Sequence, residues 1–127
     1  MKNQNEFIPV FEPFLTNIKK KYIFKCLNTN WISSQGRFIK DFEKKLAKIH
    51  GRKFCVATSS CTTAIHLSLS ALNIKEGDEV ICPALSFISP ANMILLTNAK
   101  LVLVDIDPIT LNIDTKKIVR SITKRTK

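Results

Sequence analysis

Five small residues, Thr58-Ser59-Ser60-Cys61-Thr62, stand between a short apolar run, Phe54-Cys55-Val56-Ala57, and an apolar-periodic stretch that continues to Leu72. The first run has the composition of a buried strand and the last has the periodicity of a helix. A strand feeding a helix through small hydroxylated residues leaves backbone N–H groups free at the helix start. Those groups, the hydroxyls and the helix dipole together favour an anion, and a phosphate is the natural guest. Ser and Thr in such positions also serve simply as N-caps. On spacing alone the capping reading stands ahead of the phosphate reading.

Other chemistry is sparse. Cys26, Cys55, Cys61 and Cys82 form no C-x-x-C pair, and only His50 and His66 are available to assist them, so no metal site is assigned and no disulfide framework is implied. Cys55 and Cys82 lie in apolar runs and read as small core residues. The formal charge of +10 comes from 20 basic and 10 acidic residues. Most lysines are spread over helical faces with Asp41 and Glu43 among them, and only residues 116–127 are uniformly basic. No paired-cysteine finger, RNP strand or basic zipper accompanies that tail, so a solvated lysine surface is favoured over nucleic-acid binding.

The elements that must position the central turn follow from punctuation and periodicity. With 127 residues, 45% hydrophobic and 24% charged, the chain has the composition of one globular domain. No apolar run is long enough to cross a bilayer, the opening MKNQNEFIPVFEPF has no secretory h-region, and a cytoplasmic location is expected. The prolines at 9 and 13 make residues 7–13 an extended arm. Thr16 is placed to cap a first helix through Leu27, with Ile18, Tyr22 and Cys26 aligned. Trp31-Ile32-Ser33-Ser34-Gln35-Gly36 is a loop holding the only tryptophan, either as a lid on a core or as a pocket wall. A second helix over residues 37–50 buries Phe38, Phe42, Leu46 and Ile49, and Gly51 stands at its C′ position.

Beyond the central turn, Glu79-Val80-Ile81-Cys82 is a short strand closed by Pro83. Pro90 favours a nearby helix start, with the helix continuing from Ala91 to Thr97. Leu101-Val102-Leu103-Val104-Asp105 is continuously apolar and predicts a strand buried on both faces. Asp114 is placed to cap a last helix through Ile118, Val119 and Ile122. Strand, helix, strand, helix, strand is the rhythm of a parallel α/β sheet. Ligands of such sheets bind where strands end and helices begin. Residues 58–62 and 83–90 are two such junctions, expected at one edge of the sheet.

Together these segments resemble the N-terminal part of the DegT–StrS family of sugar aminotransferases, perosamine synthases among them. The most specific pieces are Trp31-Ile32-Ser33-Ser34-Gln35-Gly36, Gly77-Asp78-Glu79-Val80-Ile81, Pro83-Ala84-Leu85-Ser86-Phe87 and Val104-Asp105-Ile106-Asp107-Pro108. The likeness runs from Ile8-Pro9-Val10 to Asn112-Ile113-Asp114. It implies an α/β fold: an incomplete N-terminal part of the large domain of the aspartate-aminotransferase fold (fold type I), which uses pyridoxal 5′-phosphate. Within it, residues 1–52 would be the arm, two helices and substrate-side loop, residues 53–114 the cofactor-phosphate region, and residues 115–127 a basic helical tail.

The resemblance also implies roles. Ser60, Cys61 and Thr62 match the family's Ser-x-Gly-Thr phosphate cup, and Phe87 matches the aromatic residue that stacks on the pyridine ring. Trp31, Ser33, Ser34 and Gln35 match a segment that shapes the nucleotide-sugar site. Family members are usually homodimers. Two departures stand out: Cys61 occupies a usual glycine position, and Asn98 replaces a glycine in the turn before the last strand. The Schiff-base lysine and the acid facing the pyridinium lie downstream of Asp114 in the family, and residues 115–127 match neither. No catalytic residue is therefore assigned. The expected function is that of an N-terminal fragment of an aminotransferase acting on nucleotide-linked keto-sugars in surface-glycan synthesis, inactive alone unless a C-terminal fragment complements it. The alternative is a non-catalytic remnant that binds a phosphate ligand or an intact paralogue.

Overall fold

A computed structural model describes residues 7–127. Residues 1–6, part of the stretch read as lacking a secretory leader, lie outside the described residues. The chain divides into two compact units, Met1–Cys55 and Val56–Lys127.

In the first unit, residues 7–15 form no regular element, and the side chains of Val10, Phe11 and Phe14 are exposed. Helix α1 (Asn17–Asn28) follows Thr16, whose backbone is extended as an N-cap requires, although its hydroxyl makes no capping bond. The helix closes with a Schellman motif: Asn30 takes φ 55°, its N–H donates to Leu27 O, and the Trp31 N–H donates to Cys26 O. Helix α2 (Arg37–Ile49) ends the same way around Gly51 at φ 59°, with Arg52 donating to Ala47 O. Tyr22 of α1 meets Phe38 of α2 edge-on, with ring centroids 5.3 Å apart. The apolar stripe predicted for α2 is only partly covered. Ala47 is buried, whereas Phe42, which faces an open groove shared with α1, and Ile49 are exposed.

The second unit contains α3 (Cys61–Ala71), β1 (Glu79–Pro83), α4 (Ile88–Leu96), β2 (Lys100–Val104) and α5 (Thr115–Ser121). Strands β1 and β2 pair in parallel from Glu79↔Lys100 to Pro83↔Val104, with α4 as the crossover. Cys82, Ile94 and Ala99 form the core, with Leu69, Ile74, Val80 and Leu101 packed against it. Two asparagines supply the left-handed residues that stop helices: Asn73 at φ 56° after α3, and Asn98 at φ 60° after α4. The latter is the residue that replaces a glycine in the sequence pattern, and the structure gives it the conformation that pattern requires. Gly77, at φ 92°, occupies the corner of the turn in which the Asp78 N–H donates to Lys75 O.

Four expectations are corrected. No strand forms over residues 54–57, and Phe54 and Val56 are exposed, because the described sheet contains only β1 and β2 and offers that run no ladder. Cys55 in the same run is half-buried, while Cys82 is buried as expected. Strand β2 is not buried on both faces: Val104 is buried but Leu103 is 58% exposed, because the described helices cover only part of the strand. The basic tail is helical only to Ser121; beyond it, Thr126 bridges Glu79 in parallel.

That bridge is fastened by charge. The Glu79 N–H donates to Arg125 O at 2.9 Å, and the Lys127 N–H donates to Glu79 O at 3.0 Å. The Glu79 side chain, 2% exposed, accepts from Thr123 Oγ1 at 2.6 Å, Lys100 Nζ at 3.0 Å and Arg125 Nη2 at 2.8 Å. The Thr123 hydroxyl first, then the Lys100 ammonium and the Arg125 guanidinium, hold its carboxyl down at about 2.

Candidate functional site

The central turn is built as a helix start. Ser60 leaves extended backbone (φ −160°, ψ 165°), and its Oγ accepts from the Thr63 N–H at 3.2 Å. The Ser60 N–H donates in return to Thr63 Oγ1 at 3.1 Å, closing a capping box. Thr58 Oγ1 braces the turn from the other side by donating to Ser60 O at 3.0 Å. The Ala64 N–H reaches Ser60 O at 3.1 Å. Two of the first four helical N–H groups are thus satisfied. Those of Cys61 and Thr62 have no intrahelical acceptor and stand at the positive end of the α3 dipole.

Cys61 fits this geometry without a glycine. It is the first residue of α3 and does not take a positive φ, so conformational freedom is not what the position demands. Its thiol is exposed, and its only difference from glycine here is the bulk of one small side chain.

The second junction meets the first through side chains. Thr62 Oγ1 donates to Ser89 Oγ at 2.9 Å, and both residues are half-buried. Phe87 is the N-cap of α4, and its ring is 79% exposed. Ser89 is the second residue of α4, as Thr62 is the second residue of α3. Helix α4 starts at Ile88, earlier than the run read from Ala91, and Pro90 falls in its first turn, where a missing N–H costs nothing. Sequence reading placed the two junctions at one edge but did not single out Ser89. Its only signal was a hydroxyl in the first turn of the second helix.

The donor set decides what this place can hold. Two orphan backbone N–H groups, two hydroxyls and a helix dipole offer donors and positive potential, which suits the acceptor-only oxygens of a phosphate ester. Among the described residues, no cluster of three or more His, Cys, Asp or Glu could hold a metal ion.

In the first unit, the Schellman end of α1 fixes the direction in which the chain leaves towards Trp31. Ser33 then organises the loop: its Oγ accepts from the Gln35 N–H at 3.4 Å and its carbonyl accepts from the Gly36 N–H at 3.3 Å. Trp31, Ile32, Ser33 and Gly36 line a cleft of about 330 Å³ with apolar side chains of α1 and α2. Trp31 and Ser33 are therefore brought together, whereas Ser34 and Gln35 are exposed and do not line it.

Comparison with known proteins gives a consistent likeness. The model of the DegT/DnrJ/EryC1/StrS aminotransferase family matches residues 14–127. The chain is 47% identical over 120 residues to GDP-perosamine synthase of Caulobacter vibrioides, covering 94% of this chain and 32% of that protein. An aminotransferase of Psychrobacter cryohalolentis superposes with a TM-score of 0.84 at 30% identity, over 91% of this chain and 29% of the other. The E. coli GDP-4-keto-6-deoxy-D-mannose-3-dehydratase with bound hydrated PLP does so with a TM-score of 0.83 at 31% identity, over 94% of this chain and 32% of the other. The chain thus spans about a third of the length of the curated relatives it matches.

Proposed function

The chain belongs to the DegT/DnrJ/EryC1/StrS aminotransferase family, and on that premise we propose that it forms the cofactor-phosphate portion of a pyridoxal-phosphate-dependent sugar aminotransferase. The observation that carries this reading is the start of α3, where the Cys61 and Thr62 N–H groups have no intrahelical acceptor and the Thr62 hydroxyl bonds Ser89 at the start of α4. In this reading those groups hold the cofactor phosphate, Ser60 shapes the cup through its capping box, and Phe87 offers its exposed ring to the pyridine face. When bound, the cofactor supplies the electron sink for amino transfer. This chain's own part is to bind and orient it.

In the first unit, Trp31 and Ser33 are proposed to shape the nucleotide-sugar site, with Ser34 and Gln35 on its exposed rim. The substrate class is a nucleotide-linked keto-sugar, by the likeness to a GDP-perosamine synthase. The amino donor is glutamate, the family's usual donor, and the expected assembly is a homodimer or a complex with a complementing fragment. The lysine and acid that the family uses lie in the two thirds of the relatives that this chain does not match. Amino transfer therefore requires that remainder. Among the described residues, no helix is long and apolar enough to cross a membrane.

The test is reconstitution. The chain is mixed with the C-terminal two thirds of the Caulobacter GDP-perosamine synthase, pyridoxal phosphate, glutamate and a GDP-linked 4-keto-sugar. Formation of amino-sugar that depends on both pieces is expected. No amino-sugar, with the intact synthase active in parallel, overturns the proposal.

A further inference from the structure

The starts of two helices, not one, meet beside the proposed phosphate cup. Thr62 is the second residue of α3 and Ser89 the second residue of α4, and their hydroxyl oxygens are 2.9 Å apart. The positive ends of two helix dipoles are therefore held side by side, an arrangement that an anion between them relieves. We infer that Ser89 is a positioning residue of the cup, orienting the Thr62 hydroxyl and adding the start of α4 to the phosphate site. This inference rests on the cofactor reading above.

Hydroxyl accounting supports the pairing. A threonine hydroxyl has one proton and accepts through its lone pairs, while a phosphate oxygen only accepts. Without an anion, Thr62 Oγ1 gives its proton to Ser89 Oγ. Ser89 then keeps its own proton for another acceptor. When a phosphate arrives, the bond reverses: Ser89 donates to Thr62 Oγ1 and Thr62 donates to the phosphate. Ser89 then fixes the Thr62 hydroxyl on its acceptor. The Thr63 hydroxyl is not available for this, because it donates to Ser60 O at 2.8 Å, and Ser60 Oγ is held in the capping box as the acceptor of the Thr63 N–H. An alanine at residue 89 leaves Thr62 free to rotate and removes one of the two hydroxyls.

The experiment is a titration of the purified chain with pyridoxamine 5′-phosphate, which has no aldehyde to react with surface lysines, alongside pyridoxamine and inorganic phosphate. Ser89→Ala is expected to weaken pyridoxamine 5′-phosphate and inorganic phosphate by about three- to tenfold, the range for one net hydrogen bond. Pyridoxamine binding is expected to be unchanged, and Ser89→Thr, which keeps a hydroxyl, to restore the phosphate ligands. Circular dichroism of each variant checks that it is folded; should Ser89→Ala unfold, Ser89→Cys replaces it, with the same expected loss. Unchanged affinity for the phosphate ligands overturns the inference and leaves the cofactor reading standing. An equal loss for pyridoxamine also overturns it, because it marks a structural effect. Absence of phosphate-ligand binding by the unaltered chain overturns both.

Discussion

Replacing Thr62 by valine separates the two uses of a hydroxylated helix start. Valine keeps the branched shape but removes the hydroxyl that donates to Ser89. The α3 cap does not depend on it, since Ser60 and Thr63 close the capping box themselves. The cap should therefore hold, and stability should fall only by the lost bond to Ser89, about 0.5–1.5 kcal/mol. A hydrogen bond to a charged group is worth about 1.5–3 kcal/mol, which corresponds to a loss of roughly ten- to 150-fold in affinity for a phosphate ligand. Ser60→Ala is the mirror image: it removes the capping acceptor and should cost about 1 kcal/mol of stability. The assay is calorimetric titration with pyridoxamine 5′-phosphate, paired with thermal unfolding of each variant. Unchanged affinity in Thr62→Val would mean that the turn is only a cap and would rule out the phosphate role of the Thr62 hydroxyl.

Three further outcomes follow from the same geometry. Glu79 has a carboxyl held at about 2 instead of an ordinary 4.5, so its contribution to stability is complete above about pH 4.5 and is lost as pH falls towards 2. Urea unfolding across that window should show a steep loss of stability that Glu79→Gln flattens, while lowering stability at neutral pH. Asn98 sits at φ 60°, so Asn98→Ala should cost about 1 kcal/mol in urea unfolding, whereas Asn98→Gly should be tolerated. Phe87 is largely exposed and caps α4 through its backbone alone. Phe87→Ala should leave the melting temperature nearly unchanged and weaken pyridoxamine 5′-phosphate; an equal effect on inorganic phosphate would argue against ring stacking.

What was legible in the sequence was local. The end of α2 was readable because Gly51 marks a left-handed C′ position, and β1 and β2 because short apolar runs are bounded by turn residues. The turn at Ser60–Thr62 was readable as a helix start from its small hydroxylated residues. Illegible features depend on partners distant in sequence. The run at residues 54–57 has the right composition for a strand, but a strand exists only when a ladder is available. The exposure of Phe42, Ile49 and Leu103 likewise depends on what lies over them, which periodicity does not report. Ser89 acquires meaning only through Thr62, 27 residues earlier. Glu79 does so through Thr123 and Arg125, 44 and 46 residues later. The family resemblance supplied what spacing did not: it turned an ordinary capping sequence into a phosphate cup.

The most direct test of that cup is amide chemical-shift mapping of the isotopically labelled chain during addition of pyridoxamine 5′-phosphate, with pyridoxamine as control. Saturable shifts centred on the Cys61 and Thr62 amides are expected, reproduced in part by inorganic phosphate and absent with pyridoxamine. Shifts that leave Cys61 and Thr62 unmoved, or that are the same with and without the phosphate group, would contradict it.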